Sequence, residues 1–111
     1  MGKSQQRKGA EGERELVSLL RSAGYKVERG GSQTYGSVPD VVGLKGIHVE
    51  VKRAERLNLS EAMAQAKLDA MRFKDGCPVV FHRRNREGWR VTMNINDWLI
   101  MYTGWMKFQE R

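Results

Sequence analysis

The sequence predicts one α/β domain, a mixed β-sheet with helices on its faces. Three observations carry that reading. Apolar residues recur at helical spacing across residues 9–23, 59–73 and 97–109. The stretches around 25–29, 40–53 and 78–93 are short and rich in β-branched residues. The two kinds of segment alternate in the order α-β-β-β-α-β-β-α. At 111 residues the chain can build one substantial core but not two.

Composition narrows the classes of function. A hydrophobic fraction of 40% is globular, and no apolar run reaches the roughly 18 residues of a membrane span. The polar start, Met1–Lys8, lacks the apolar stretch of a secretory signal, and Gln6 breaks a myristoylation pattern. Cys77 is the only cysteine, which excludes an internal disulfide and a cysteine-based zinc site and fits a reducing, cytoplasmic setting. A net charge of +7 and a pI near 9.9 point to a polyanion, nucleic acid before a membrane surface.

Residues 1–8 read as a flexible basic tail in which Arg7 and Lys8 can touch phosphates, and 9–111 as the single domain. A helix from about Lys8 to Ala23 follows, closed by Gly24. Its apolar stripe is Leu16, Val17 and Leu20, with Leu19 and Ala23 beside it. At 100° per residue Glu13 falls inside that stripe, whereas Glu11 and Glu15 fall on the far side, in water. A carboxylate on a core-facing stripe is costly unless paired. Either Glu13 caps the first turns at the rim, or it reaches a site it shares with other acidic residues.

Tyr25–Arg29 alternates as a strand with Tyr25 and Val27 inward. The glycine- and hydroxyl-rich loop after it is either a plain connector or a contact loop, with Arg29, Ser32 and Tyr35 able to reach a phosphodiester. Next comes a hairpin, Asp40–Leu44 and Ile47–Arg53, turned at Lys45 and Gly46. Asn58 followed by Glu61 starts a second helix that runs to about Lys74, with Leu59, Met63, Ala66, Ala70 and Phe73 as its buried stripe. Gln65 and Asp69 lie on its flank, solvated or supporting a site. Pro78–His82 and Trp89–Met93 are the last strands. Arg83, Arg84 and Arg86 at the turn between them either form a solvated loop or hold a phosphate backbone. Neither His48 nor His82 has a partner at metal-ligand spacing. The final helix, about Asp97–Gln109 and capped by Asn94 or Asn96, is apolar nearly all round, so either it is deeply wrapped or it meets another subunit, a homodimer being the favoured reading.

The chemistry converges on the hairpin. Period-two alternation places Ile47, Val49 and Val51 on one face and His48, Glu50 and Lys52 on the other. Asp40 enters from the partner strand. Two carboxylates and an ammonium on one face suit a hard divalent cation, Mg2+, with Mn2+ able to substitute. A half-exposed strand carrying Glu and Lys by simple alternation is the ordinary alternative.

These residues resemble a known family. Pro39 and Asp40 followed by Glu50-x-Lys52, in this element order, resemble the PD-(D/E)XK nuclease superfamily with its restriction-endonuclease-like fold. Arg7–Ala10 leading into Glu13–Leu16, then Gly24–Val27, Arg29, Ser32, Asp40–Val42 and Glu50–Lys52, are similar to the archaeal-type Holliday junction resolvases. Gly76–Val80 and Gly88–Arg90 echo that family's later strands. The likeness is dense over 7–53, looser over 76–93, and absent beyond about 94. It implies metal-binding carboxylates at Asp40 and Glu50, a further ligand in the Val51 carbonyl, and a catalytic lysine at Lys52. Glu13 matches the family's first-helix glutamate, which implies a catalytic residue that completes the metal's shell or positions a water; Arg14 and Arg29 match its residues near DNA, and Ser32 its loop serine.

The resulting expectation is an Mg2+-dependent endonuclease that resolves four-way junctions as a homodimer, with no membrane partner. The same chemistry on other branched, flapped or linear DNA is the nearer rival. A non-catalytic nucleic-acid-binding module is the more distant one.

Overall fold

The computed structural model describes residues 2–31 and 38–110, the side chains of residues 2–8 excepted. Its first element, α1 (Gly2–Ser22), ends at Gly24, whose φ of +100° is the left-handed conformation that closes a helix at little cost in glycine. The backbone of the expected tail is therefore helical from Gly2. Leu16 and Val17 are buried as the spacing predicts, and Leu20 packs beside them. Gly12 also lies on this face. A Cβ there would stand 3.0 Å from Arg53 Cβ and 3.5 Å from Val51 Cγ1, so the glycine lets the helix lie close on the sheet.

Five strands follow in sheet order: β1 (Glu28–Arg29), β2 (Val41–Val42), β3 (Gly46–Arg53), β4 (Gly76–Arg83) and β5 (Arg90–Met93). All neighbours are antiparallel except β3 and β4, which run parallel because α2 (Leu59–Phe73) crosses between them. The hairpin is shorter than expected. Gly43 at φ +119° presses against Lys26 O and Val27 Cα, and β2 and β3 pair at Val41 and Val49. Tyr25 is exposed rather than inward, and the first strand is confined to two residues.

Alternation along the sheet divides the core. Val49, Val51, Val79 and Phe81 meet Leu16 and Val17 of α1, while Val80 on the other face meets Ala62 and Ala66 of α2. Of the expected stripe of α2, Ala66 and Ala70 are buried and Met63 packs beside the core, while Ala62, not Leu59, completes it. Alanines let that helix sit close over the polar face of β3, and Leu59 is left exposed. Asn58 caps the helix as expected, its Oδ1 accepting from Glu61 N at 3.1 Å.

Glu15 corrects the helical wheel. Its carboxylate lies 3.1 Å from Arg53 Nε, at a poor hydrogen-bonding angle, and also receives Arg83 Nη1. It thus ties α1 to the ends of β3 and β4 instead of facing open water.

Gly76 begins β4 at φ +136°, where a Cβ would fall 2.2 Å from the carbonyl carbon and oxygen of Gly46. Gly76→Ala is expected to cost about 2–4 kcal/mol, from backbone strain and from the parting of β3 and β4. Urea unfolding of the two proteins measures it, and a loss below about 0.5 kcal/mol would contradict the packing described.

The last element, α3 (Ile95–Gln109), buries no residue. Asn94 is its N-cap, although its side chain makes no capping bond. No helix among the described residues is long and apolar enough to cross a membrane.

Candidate active site

A strand face carrying His48, Glu50 and Lys52 would ordinarily look into water. Here α2 covers it, and His48 and Glu50 are only 1% and 6% exposed, the buried polar side chains among the described residues. A carboxylate withdrawn from water costs several kcal/mol unless its oxygens find partners. Glu50 Oε1 accepts from His48 Nε2 at 3.2 Å, and Glu50 Oε2 lies 3.9 Å from Lys52 Nζ. On its other side His48 Nδ1 reaches both oxygens of Asp75, at 2.9 and 3.1 Å. Burial alone would lower the His48 pKa. The hydrogen bonds to Glu50 and Asp75, with the charges behind them, outweigh it and hold the imidazole above its usual value.

Asp40 arrives from the other strand. β2 stops pairing beyond Val49, which leaves the edge of β3 open there. The Val51 N–H on that edge donates to Asp40 Oδ2 at 2.9 Å. The N–H and C=O of one strand residue point the same way, so the Val51 carbonyl faces the same edge. Burial pushes the Asp40 carboxyl up to about 7, and the negative charge of Glu50 and then of Glu13 adds to it. The Val51 hydrogen bond and Lys52 pull the other way without prevailing. Two carboxylates and a carbonyl, all oxygen and short of positive charge, are a donor set that fits a hard divalent cation. A second group also converges on Glu50: ligand atoms of His48, Glu50 and Asp69 all lie within 4.8 Å of one another. Gln65 Nε2 donates to both Asp69 oxygens at 3.1 Å.

Glu13 sits on the α1 side of the sheet, half-buried, with its Oε1 3.1 Å from Arg29 Nε. Its charge is felt at Asp40, but it is not among the groups that converge on Glu50. Arg14 and Arg29 line one open groove along α1 together with Ser18, Arg21 and Ser22. At the β4–β5 turn Arg83 is occupied by Glu15 and by the Glu87 carbonyl, at 2.7 Å. Arg84 stands 3.8 Å from Glu87, and Arg86 is exposed at φ 64°. Ser32, Tyr35 and the side chains of Arg7 and Lys8 lie outside what the structure describes.

Sequence reasoning missed His48 and Asp75. The available signal was a histidine two residues before Glu50, on the same face of the strand. What made it matter was its cover, and that comes from residues far along the chain.

A mixed sheet with an acidic, lysine-bearing site at the open edge of its central strand defines a metal-dependent endonuclease of the PD-(D/E)XK class. The family model described as "Archaeal holliday junction resolvase (hjc)" matches residues 4–99. One similar solved structure is that of Archaeoglobus fulgidus Hjc, a Holliday junction resolvase from an archaeal hyperthermophile. It is 28% identical over 78% of this chain and 72% of that one, with a TM-score of 0.56. No curated protein sequence matches significantly. The chain belongs to the archaeal Holliday junction resolvase family, and its activity is that of a junction-resolving nuclease. The likeness runs past residue 94, into the first turn of α3.

Proposed function

We propose that the chain hydrolyses phosphodiesters of four-way DNA junctions at a site built from Asp40, Glu50, Lys52 and the Val51 carbonyl, with Mg2+ as its cation and Mn2+ able to replace it. The observation that carries this is the Asp40 carboxylate at the open edge of β3, 2.9 Å from Val51 N, where burial and the charge of Glu50 disfavour its ionised form. A site under that electrostatic load gains most from a dication. Asp40, Glu50 and the Val51 carbonyl would hold it. The ion supplies charge against the scissile phosphate and lowers the pKa of water. Lys52, partly exposed beside Glu50, presents its ammonium to negative charge that grows on the phosphate in the transition state. Glu13 keeps Arg29 in place at the rim, and Arg14, Arg29 and the groove along α1 grip the backbone without reading bases. Arg84 and Arg86 extend that grip at the β4–β5 turn. The DNA of a cytoplasm is the expected setting.

The functional unit is a homodimer joined through α3. Nine large apolar residues there, from Ile95 to Phe108, are 37–72% exposed. At about 200 Å2 for each large side chain, they leave on the order of 1,000 Å2 of apolar surface in water. That is more than a monomer tolerates and comparable with the ~800 Å2 each partner gives to a stable interface. Asp97 and Lys107 are the only charges in the helix and cancel, so two strongly basic chains can meet there without repulsion. Gly104, where a Cβ would touch nothing, leaves the backbone open to close approach. A twofold pair carries two sites, as symmetric nicking of a junction requires.

The test is nicking of a synthetic four-way junction beside a linear duplex of the same arms, each with Mg2+ and with chelator. Cutting of the junction alone, and only with Mg2+, is expected. Equal cutting of both DNAs would remove the junction preference, and cutting in chelator would remove the metal.

A further inference from the structure

Glu50 has two oxygens, and a metal site needs one of them aimed at the ion. The terminal torsion of a glutamate is broad and roughly two-fold, so the strand alone does not aim it. His48 Nε2 occupies Oε1 at 3.2 Å, which leaves Oε2 on the side of Lys52, 3.9 Å from Nζ. His48 is itself immobilised. It is 1% exposed, its ring stacks on Phe73 with centroids 6.1 Å apart and planes 15° from parallel, and Asp75 grips Nδ1 with both oxygens. Asp75 stands between two positive-φ residues, Lys74 at 53° and Gly76 at 136°. Lys74 in that conformation is the left-handed cap that closes α2, its N–H bonded to Ala70 O at 2.8 Å, and the turn it makes leads Asp75 to the imidazole.

We propose that His48, clamped by Asp75, is a positioning residue that turns the Glu50 carboxylate so that Oε2 is presented to the catalytic cation. The proposal rests on the metal-site reading above. The metal site proposed above uses the Glu50 carboxylate, and its orientation is set by a buried donor whose own support lies across the α2 crossover. Direct ligation by His48, Glu50 and Asp69 is the competing arrangement, since their atoms cluster within 4.8 Å. It is disfavoured by the partners of the ring. Both nitrogens already lie against carboxylate oxygens, Nε2 on Glu50 and Nδ1 on Asp75, so neither is turned toward an open coordination position. Second-layer donors of this kind are worth 10–100-fold in metal affinity in other proteins.

The experiment titrates Mn2+ into the full chain without DNA, by calorimetry, for wild type, Asp40→Asn, Asp75→Asn, His48→Ala and His48→Gln. Asp75→Asn is expected to weaken Mn2+ binding about 10-fold, with its thermal unfolding close to wild type and junction binding in chelator unchanged. His48→Ala loses at least as much, and His48→Gln, which keeps a donor near Nε2, recovers part of the loss. Turnover of the Asp75→Asn variant returns as Mn2+ is raised, with KM for the junction unmoved. A role in stability alone would lower the unfolding temperature and leave Mn2+ affinity intact, and that result overturns the proposal. So does nitrogen hyperfine coupling to bound Mn2+ in pulsed EPR of the wild type, which would make His48 a ligand. If Asp40→Asn also leaves Mn2+ affinity unchanged, the metal-site reading itself fails. If only the Asp40 substitution matters, that reading stands and the positioning role falls.

Discussion

Asp40→Asn is expected to slow junction cutting by about 1,000-fold or more while leaving junction binding in chelator at or above the wild-type level. The amide oxygen can still accept from Val51 N–H, so the edge of β3 keeps its shape. What it loses is the charge that holds the cation. The same substitution should stabilise the fold, and the pH dependence separates that effect from simple repacking. The Asp40 pKa is raised from 3.8 to about 7 by burial and by Glu50, so the folded state prefers the protonated acid. Its stabilising contribution is complete below about pH 4 and is lost as pH rises through 7. At about 1.4 kcal/mol per unit, the ionised form costs the fold on the order of 2–4 kcal/mol above pH 7. Relative to wild type, Asp40→Asn therefore gains little at pH 4 and most at pH 8, and excess Mg2+ erases the gain by compensating the wild-type charge. Urea unfolding at the two pH values, with and without Mg2+, measures it. A gain equal at both pH values would mean that Asp40 is not under electrostatic load.

The second large effect lies on α3. Trp98→Glu together with Trp105→Glu is expected to weaken self-association at least about 100-fold, two buried aromatic anchors being lost and two like charges added. Trp98 stacks on Tyr102 with ring centroids 5.1 Å apart, and Tyr102 meets Trp105 at 5.9 Å, so the three rings form one ridge. Since α3 buries nothing within its own subunit, the substitutions should leave urea unfolding of the monomer within about 0.5 kcal/mol of wild type. Sedimentation equilibrium decides the matter. A monomeric wild type would remove the homodimer, and a variant that still dimerises would move the interface elsewhere.

Much of the site could be read along the chain because its central residues are close in sequence and a strand has a rigid period. Glu50 and Lys52 share a face for that reason, and a tight turn brings Asp40 to the neighbouring strand. The stripe of α1 was equally legible at Leu16 and Val17. The failures have a common cause. A helical wheel shows which residues share a face, not what stands opposite, and so leaves Glu15 in water. Arg53 and Arg83 stand opposite, contributed by two parallel strands that α2 joins. Tyr25 alternated correctly but belongs to no paired strand. The spacing of α2 finds Ala66 and Ala70 but favours Leu59 over Ala62, whereas the close approach to β3 selects the alanine.

The amino-acid sequence by itself determined the α/β class, the order of the elements and the gathering of Asp40, Glu50 and Lys52 on one hairpin, because these follow from local periodicity and turn chemistry. Only the tertiary structure decided that the polar face of β3 lies under a helix. That cover buries His48 and Glu50, and the turn beyond it supplies Asp75 from 27 residues past His48. The physical reason is that desolvation and pairing depend on which surfaces meet, and a parallel crossover brings together surfaces that no short stretch of sequence contains.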